Sequence, residues 1–152
     1  MELRTIKEVL DFAIEAEVKA AQVYRALAAS AVHQDLRTLL LALADVEEEH
    51  WMSLEEVREG DLSLFARETP VVQLSVPSFV PELSPEMTLA QLLLAAIDAE
   101  RLAHELYSGL ARQAGDPGLA TLLDALAREE LNHWQRLQEA YDTFIREAPQ
   151  SE

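Results

Sequence analysis

Four stretches of this chain carry apolar residues at spacings that alternate between four and three, and a glutamate breaks each run near its middle. The first reads Ile6, Leu10, Ala13, Glu17, Ala20, Tyr24, Leu27, and the second Leu36, Leu40, Leu43, Glu47, His50, Leu54, Val57. The third reads Leu89, Leu93, Ala96, Glu100, Ala103, Tyr107, Leu110, and the fourth Leu119, Leu123, Leu126, Glu130, His133, Leu137, Ala140, Phe144. Such spacing keeps side chains on one stripe of an α-helix. Four stripes of similar length bury each other by turning inward, so the pattern predicts an all-α four-helix bundle. Each seam then carries an acid into the interior, where an uncompensated charge costs several kcal/mol.

The helix limits follow from capping chemistry. Thr5-Ile6-Lys7-Glu8 has the form of a capping box and opens a helix that runs to about Ser30. The second helix is predicted from near Asp35 to Gly60, and the third from about Thr88, or as early as Ser84-Pro85, to Gly115. Asp116 followed by Pro117 opens the fourth, which is expected to continue to just before Pro149. Ala, Leu and Glu dominate and only 4 Gly occur, a mixture that costs a helical backbone little side-chain entropy.

The two halves repeat. Glu17 and Glu100 lie 83 positions apart, as do Tyr24 and Tyr107, Glu47 and Glu130, His50 and His133, and Trp51 and Trp134. A helical hairpin used twice brings its polar residues together around a pseudo-twofold axis. The expected organisation of residues 1–152 is one domain: a hairpin over about 5–60, a crossover over about 61–87 and a second hairpin over about 88–148. The crossover holds Pro70, Pro77, Pro81 and Pro85 around the run Val71-Val72-Gln73-Leu74-Ser75-Val76, which either lies extended along the helices or packs on a second subunit.

Residues three apart share a helix face, so Glu47 converges with His50 and Glu130 with His133. Glu17 and Glu100 stand at the matching level of the other two seams. Four carboxylates and two imidazoles thus point inward, and two cations among them would neutralise the buried charge. Oxygen and imidazole donors suit iron, manganese or zinc. Glu47 and Glu130 are placed to bridge both ions, with Glu17, His50, Glu100 and His133 as terminal ligands. Which histidine shares an ion with which terminal glutamate is left open by the spacing. His104, one turn beyond Glu100, is either a further ligand or a surface histidine; His33 falls in the first turn, and Glu48 and Glu49 are rotated off the seam. Tyr24 and Tyr107 read as hydrogen-bond donors to the bridging carboxylates, as local electron donors or as ordinary core aromatics. Ala20 and Ala103 leave room beside the ligands, while Trp51 and Trp134 read as packing residues.

The set Glu17-x6-Tyr24, Glu47-x-x-His50, Glu100-x6-Tyr107 and Glu130-x-x-His133 resembles the rubrerythrin branch of the ferritin-like superfamily. That resemblance implies a ferritin-like bundle holding two iron ions, reacting with peroxide or dioxygen, and associating as a homodimer. Two departures stand out. Peroxidase-type members carry a further glutamate on the third helix where this chain has Ala103, and they carry a cysteine-ligated rubredoxin domain, whereas this chain has no Cys. Electrons would therefore come from a separate donor.

Charge and composition narrow the functional classes. A formal net charge of -16 repels nucleic acid and anionic membrane surfaces. Charged residues interrupt the opening segment, so no secretory leader is read there, and the missing cysteines suit a cytoplasmic location. The expected function is a di-iron oxidoreductase; iron handling by ferroxidation and storage or transfer, and a bundle with a structural metal pair, are the alternatives.

Overall fold

Threonine caps begin two of the four helices in the computed structural model, which describes residues 5–60, 86–114 and 116–146 together with the short segments Glu2–Leu3 and Val72–Gln73. Helix α1 spans Ile6–Ser30, α2 Gln34–Glu59, α3 Leu89–Gln113 and α4 Pro117–Tyr141. At the start of α1 the Glu8 N–H donates to Thr5 Oγ1 at 3.1 Å and the Thr5 N–H to Glu8 Oε2 at 3.2 Å, the reciprocal pair expected from the sequence. Thr88 and Gln91 make the same box at α3, with bonds of 3.1 and 2.9 Å. Asp116 Oδ1 accepts from the Leu119 N–H at 2.9 Å and Pro117 occupies the first turn of α4. Each cap contributes about 0.5–2 kcal/mol by satisfying an otherwise orphaned amide.

Helix α3 starts at Leu89 with Thr88 as its N-cap, as the sequence leads one to expect; the alternative start at Ser84-Pro85 lies outside the described residues. It ends at Gln113, with Ala114 extended to lead into the next cap, and Gly115 lies outside the described residues. The regular part of α4 stops at Tyr141 and widens into a π-helical turn over Asp142–Arg146, where the Asp142 N–H is shared between the Gln138 and Glu139 carbonyls; the expected end just before Pro149 lies outside the described residues. That turn brings Phe144 and Ile145 against the core. Most of the crossover lies outside the described residues; within it, Val72–Gln73 is extended and pairs antiparallel with Glu2–Leu3.

Helix α1 packs along α2 and α3 along α4, and the hairpins meet through α1 against α3 and α2 against α4. The cross-hairpin bonds fix direction: Tyr24 reaches Glu100 while Tyr107 reaches Glu17, so α1 and α3 run antiparallel. The core falls into two apolar clusters, one at each end of the bundle. One joins Leu10, Leu54, Leu110 and Leu123, the other Leu27, Leu40, Leu93 and Leu137. The glutamate level lies between them. No described helix is long and apolar enough to cross a membrane.

Leu40 is fully buried and its neighbour Leu41 is 44% exposed, so the two test the seam directly. Leu40→Ala is expected to lower the unfolding free energy by about 2–5 kcal/mol through lost burial and a residual cavity. Leu41→Ala is expected to change it by less than about 0.5 kcal/mol. Urea denaturation followed by circular dichroism measures both.

Candidate metal centre

Each of the six inward polar residues sits mid-helix, with an apolar cluster on either side along its own seam. A helix anchored at both ends cannot rotate to release its central acid, so the carboxylates stay inside. Glu17, Glu47, Glu100 and Glu130 are between 0 and 4% exposed, and His133 is 1% exposed.

The side chains gather into two overlapping groups. Glu17, Glu47, His50 and Glu130 each offer one ligand atom within 4.8 Å of the others, as do Glu47, Glu100, Glu130 and His133. Glu47 and Glu130 belong to both groups, the arrangement expected of bridging carboxylates. The pairing left open by the spacing is thereby given: Glu17 lies with His50 and Glu100 with His133. His50 Nδ1 is 3.5 Å from Glu17, 3.4 Å from Glu47 and 3.6 Å from Glu130. His133 Nδ1 is 2.7 Å from Glu47, 3.6 Å from Glu100 and 3.9 Å from Glu130. The two imidazole rings stand nearly parallel, 5.9 Å between centroids.

Both oxygens of Glu47, Glu100 Oε2, Glu130 Oε1 and the Nδ1 atoms of His50 and His133 are buried without a hydrogen-bond partner. Each such orphan costs about 1–3 kcal/mol. Even the 2.7 Å approach of His133 to Glu47 lacks hydrogen-bond alignment. Cations among these atoms satisfy all six at once, so the donor set fits a dinuclear metal centre of oxygen and imidazole ligands.

The tyrosines do not serve the bridging carboxylates. Tyr24 donates to Glu100 Oε1, and Tyr107 donates to Glu17 Oε1 at 2.9 Å. Each thus steadies the terminal glutamate of the opposite hairpin, a partner that spacing within one helix does not reveal. Burial and the facing carboxylates push both phenols well above their ordinary range, so they remain protonated donors.

His104 stands apart from both groups; its Nδ1 lies 2.8 Å from the Ala127 carbonyl oxygen and donates to it. Glu49 is exposed, Glu48 pairs with Arg25, and His33 is exposed beside Phe144. Trp51 and Trp134 are half-buried against the two apolar clusters. Ala20 and Ala103 border a cavity of about 30 Å³ beside the acids. One residue escaped the sequence reading: Glu129, whose Oε2 lies 3.8 Å from His50 Nε2. The matching position in the first hairpin is Val46, so the pseudo-symmetry breaks there.

Fold and site together define a ferritin-like carboxylate bundle with a candidate dinuclear centre. The rubrerythrin family model matches residues 8–77 and 91–149, and the chain belongs to that family. A Thermotoga maritima protein described as a ferritin-like diiron-carboxylate protein is similar at 20% identity and a TM-score of 0.74, with 95% of this chain and 97% of that chain covered. An uncharacterised conserved protein of Magnetospirillum magnetotacticum is similar at 26% identity and a TM-score of 0.66, covering 97% and 98%. KatB, a manganese catalase from Anabaena, is similar at 17% identity and a TM-score of 0.68, covering 99% and 79%. No curated protein matches the chain.

Without metal, protons do the neutralising. Burial raises Glu47 and Glu130 well above the carboxylate range, helped by repulsion from Glu17 and Glu100. Burial also presses Glu17 upward, but the adjacent Glu47 carboxyl and His50 imidazole, with the Tyr107 hydrogen bond, outweigh it and hold Glu17 below its ordinary value. Burial opposes charge on the histidines too, yet the close carboxylates of Glu17 and Glu47 lift His50, and those of Glu100 and Glu47 lift His133, each to about 10. A raised histidine contributes stability that is complete below its ordinary 6.5 and lost as pH climbs through about 10. The raised acids act in the same direction, because ionising them above the ordinary 4.5 is penalised only in the folded chain. Glu17 acts oppositely, its contribution disappearing as pH falls below 4.5. The metal-free melting temperature is therefore expected to fall between pH 6.5 and 10, and divalent metal to abolish that fall by replacing the protons. Calorimetry with and without chelator checks this; a metal-free chain that gains stability toward pH 10 contradicts it. Glu47→Gln is expected to match or exceed the metal-free wild type at pH 8 and to forgo the metal-dependent gain, about 2.7 kcal/mol at a hundredfold excess over Kd.

Proposed function

We propose that this chain is a di-iron oxidoreductase that reduces hydrogen peroxide or dioxygen, taking electrons from a separate protein or small reductant. The observation that carries the reading is the pair of buried four-residue groups sharing Glu47 and Glu130, with open space on one side. A bound ferrous pair would supply two electrons and Lewis acidity. Peroxide reduction consumes those electrons and two protons, breaks the O–O bond and yields two waters.

The chain's residues set the conditions for that chemistry. Glu47 and Glu130 would serve both metal positions, while Glu17 and Glu100 would each serve one. The Tyr107 and Tyr24 hydroxyls donate to Glu17 and Glu100 and keep them oriented. His50 and His133 fix the α2–α4 side with parallel rings and leave the α1–α3 side for the oxidant. Exclusion of water by the apolar clusters protects the site from side reactions.

The likeness to KatB favours a second reading, peroxide disproportionation with manganese, because the donor set suits that metal and the reaction needs no outside reductant. Oxygen evolution from manganese-loaded protein separates it from the first.

Stopped-flow absorbance of the anaerobically iron-loaded protein is expected to show oxidation by one equivalent of peroxide per chain. Tyr107→Phe is expected to retain metal and slow that oxidation about 10–100-fold through loss of its hold on Glu17. A ferrous protein inert to both peroxide and dioxygen contradicts the proposal.

A further inference from the structure

The two sides of the centre differ. Toward α2 and α4 the two histidine rings stand nearly parallel, 5.9 Å apart. Toward α1 and α3 the neighbouring residues are alanines. Ala96 and Ala103 are buried at 3 and 8% exposure, while Ala16, Ala20 and Ala99 are half-buried at the outer wall. Ala16 and Ala99 share the 83-residue repeat offset, as do Ala20 and Ala103, so the gap lies on the pseudo-twofold axis.

Two features make this more than a seam of small residues. Between these helices lies a cavity of about 30 Å³. Glu100 and Glu130 border it, each at least nine-tenths buried and each with an unpartnered oxygen. A space of about 10–15 Å³ on this measure suffices for one water, so this one suits a molecule of about two or three heavy atoms. Tyr24 and Tyr107 also line it, keeping polar groups beside any guest.

We propose that the alanine-walled gap between α1 and α3 is the access route and binding pocket for the small molecule that reaches the metals, and that Ala16, Ala20 and Ala99 select by size. Hydrogen peroxide, dioxygen and triatomic anions pass; alkyl hydroperoxides do not. The identity of the oxidant rests on the function proposed above, whereas the route and its selectivity rest on the cavity. Ala99→Leu would fill the mouth from α3 while leaving every candidate ligand in place, and Ala16→Val would narrow it from α1.

Cobalt(II)-loaded protein tests the route without any redox step. Azide is expected to change the visible cobalt spectrum of the wild type. Ala99→Leu is expected to hold the same cobalt but bind azide at least about tenfold more weakly, a shift of about 1.4 kcal/mol. Ala125→Leu, on the exposed face of α4, should leave azide affinity unchanged. Where Ala99→Leu does not load cobalt, Ala16→Val supplies the same comparison. Azide affinity equal to wild type in a cobalt-loaded mouth variant overturns the route. Iron-loaded wild type is expected to react with hydrogen peroxide at least about tenfold faster than with tert-butyl hydroperoxide; equal rates overturn the selectivity. Azide binding that is lost in the mouth variants, in a protein inert to peroxide, would uphold the route while rejecting the redox function.

Discussion

Like charges crowded into an apolar interior are the constraint on which this structure depends. Two unit charges about 4 Å apart repel by roughly 4 kcal/mol even at an effective dielectric of about 20. Glu17, Glu47, Glu100 and Glu130 cannot all ionise in so small a space unless cations stand among them. The rest of the fold holds them there. Two leucine-rich clusters brace the helices above and below the glutamate level, and the antiparallel α1–α3 pair brings each tyrosine onto the opposite hairpin's terminal acid. Stability and site are thus opposed locally and reconciled only by what binds.

The duplicated hairpin produces two nearly equivalent candidate metal positions, and the departures from equivalence lie where the surroundings differ. His50 is 12% exposed at its side chain and has the surface acid Glu129 within 3.8 Å, whereas His133 is 2% exposed. Val46 stands where a second such acid would be. The His50 position is therefore the more exposed of the two and has an acid beside its Nε2, and His133 is the more deeply buried. The imidazoles lie on the α2–α4 side and the alanine-lined space on the α1–α3 side, so ligation and access do not compete for the same wall.

Much of this could be read from the residues because helical periodicity is local. The alternating four-three seams identified the buried stripe, Thr5 with Glu8 and Asp116 with Pro117 marked helix starts, and the 83-residue offset brought six ligand candidates to one level. What escaped depends on relations between helices. Pairing of Glu17 with His50, and of Tyr24 with Glu100 instead of a bridging acid, follows from the register of packed helices, which spacing along one helix does not carry. Glu129 lies one step off the seam, so its meeting with His50 requires knowing where α2 sits. His104 was ambiguous for the same reason; its partner proved to be the Ala127 carbonyl on α4. The early change of helix type at Tyr141 reflects a local choice between competing carbonyl acceptors that no side-chain pattern announces.

Anomalous diffraction from crystals of metal-loaded protein, recorded on both sides of the absorption edge of the added metal, tests the central claim most directly. The account predicts two peaks per chain, one among Glu17, Glu47, His50 and Glu130 and the other among Glu47, Glu100, Glu130 and His133. Peaks confined to surface acids, or a bundle interior with no anomalous signal after loading, would contradict it.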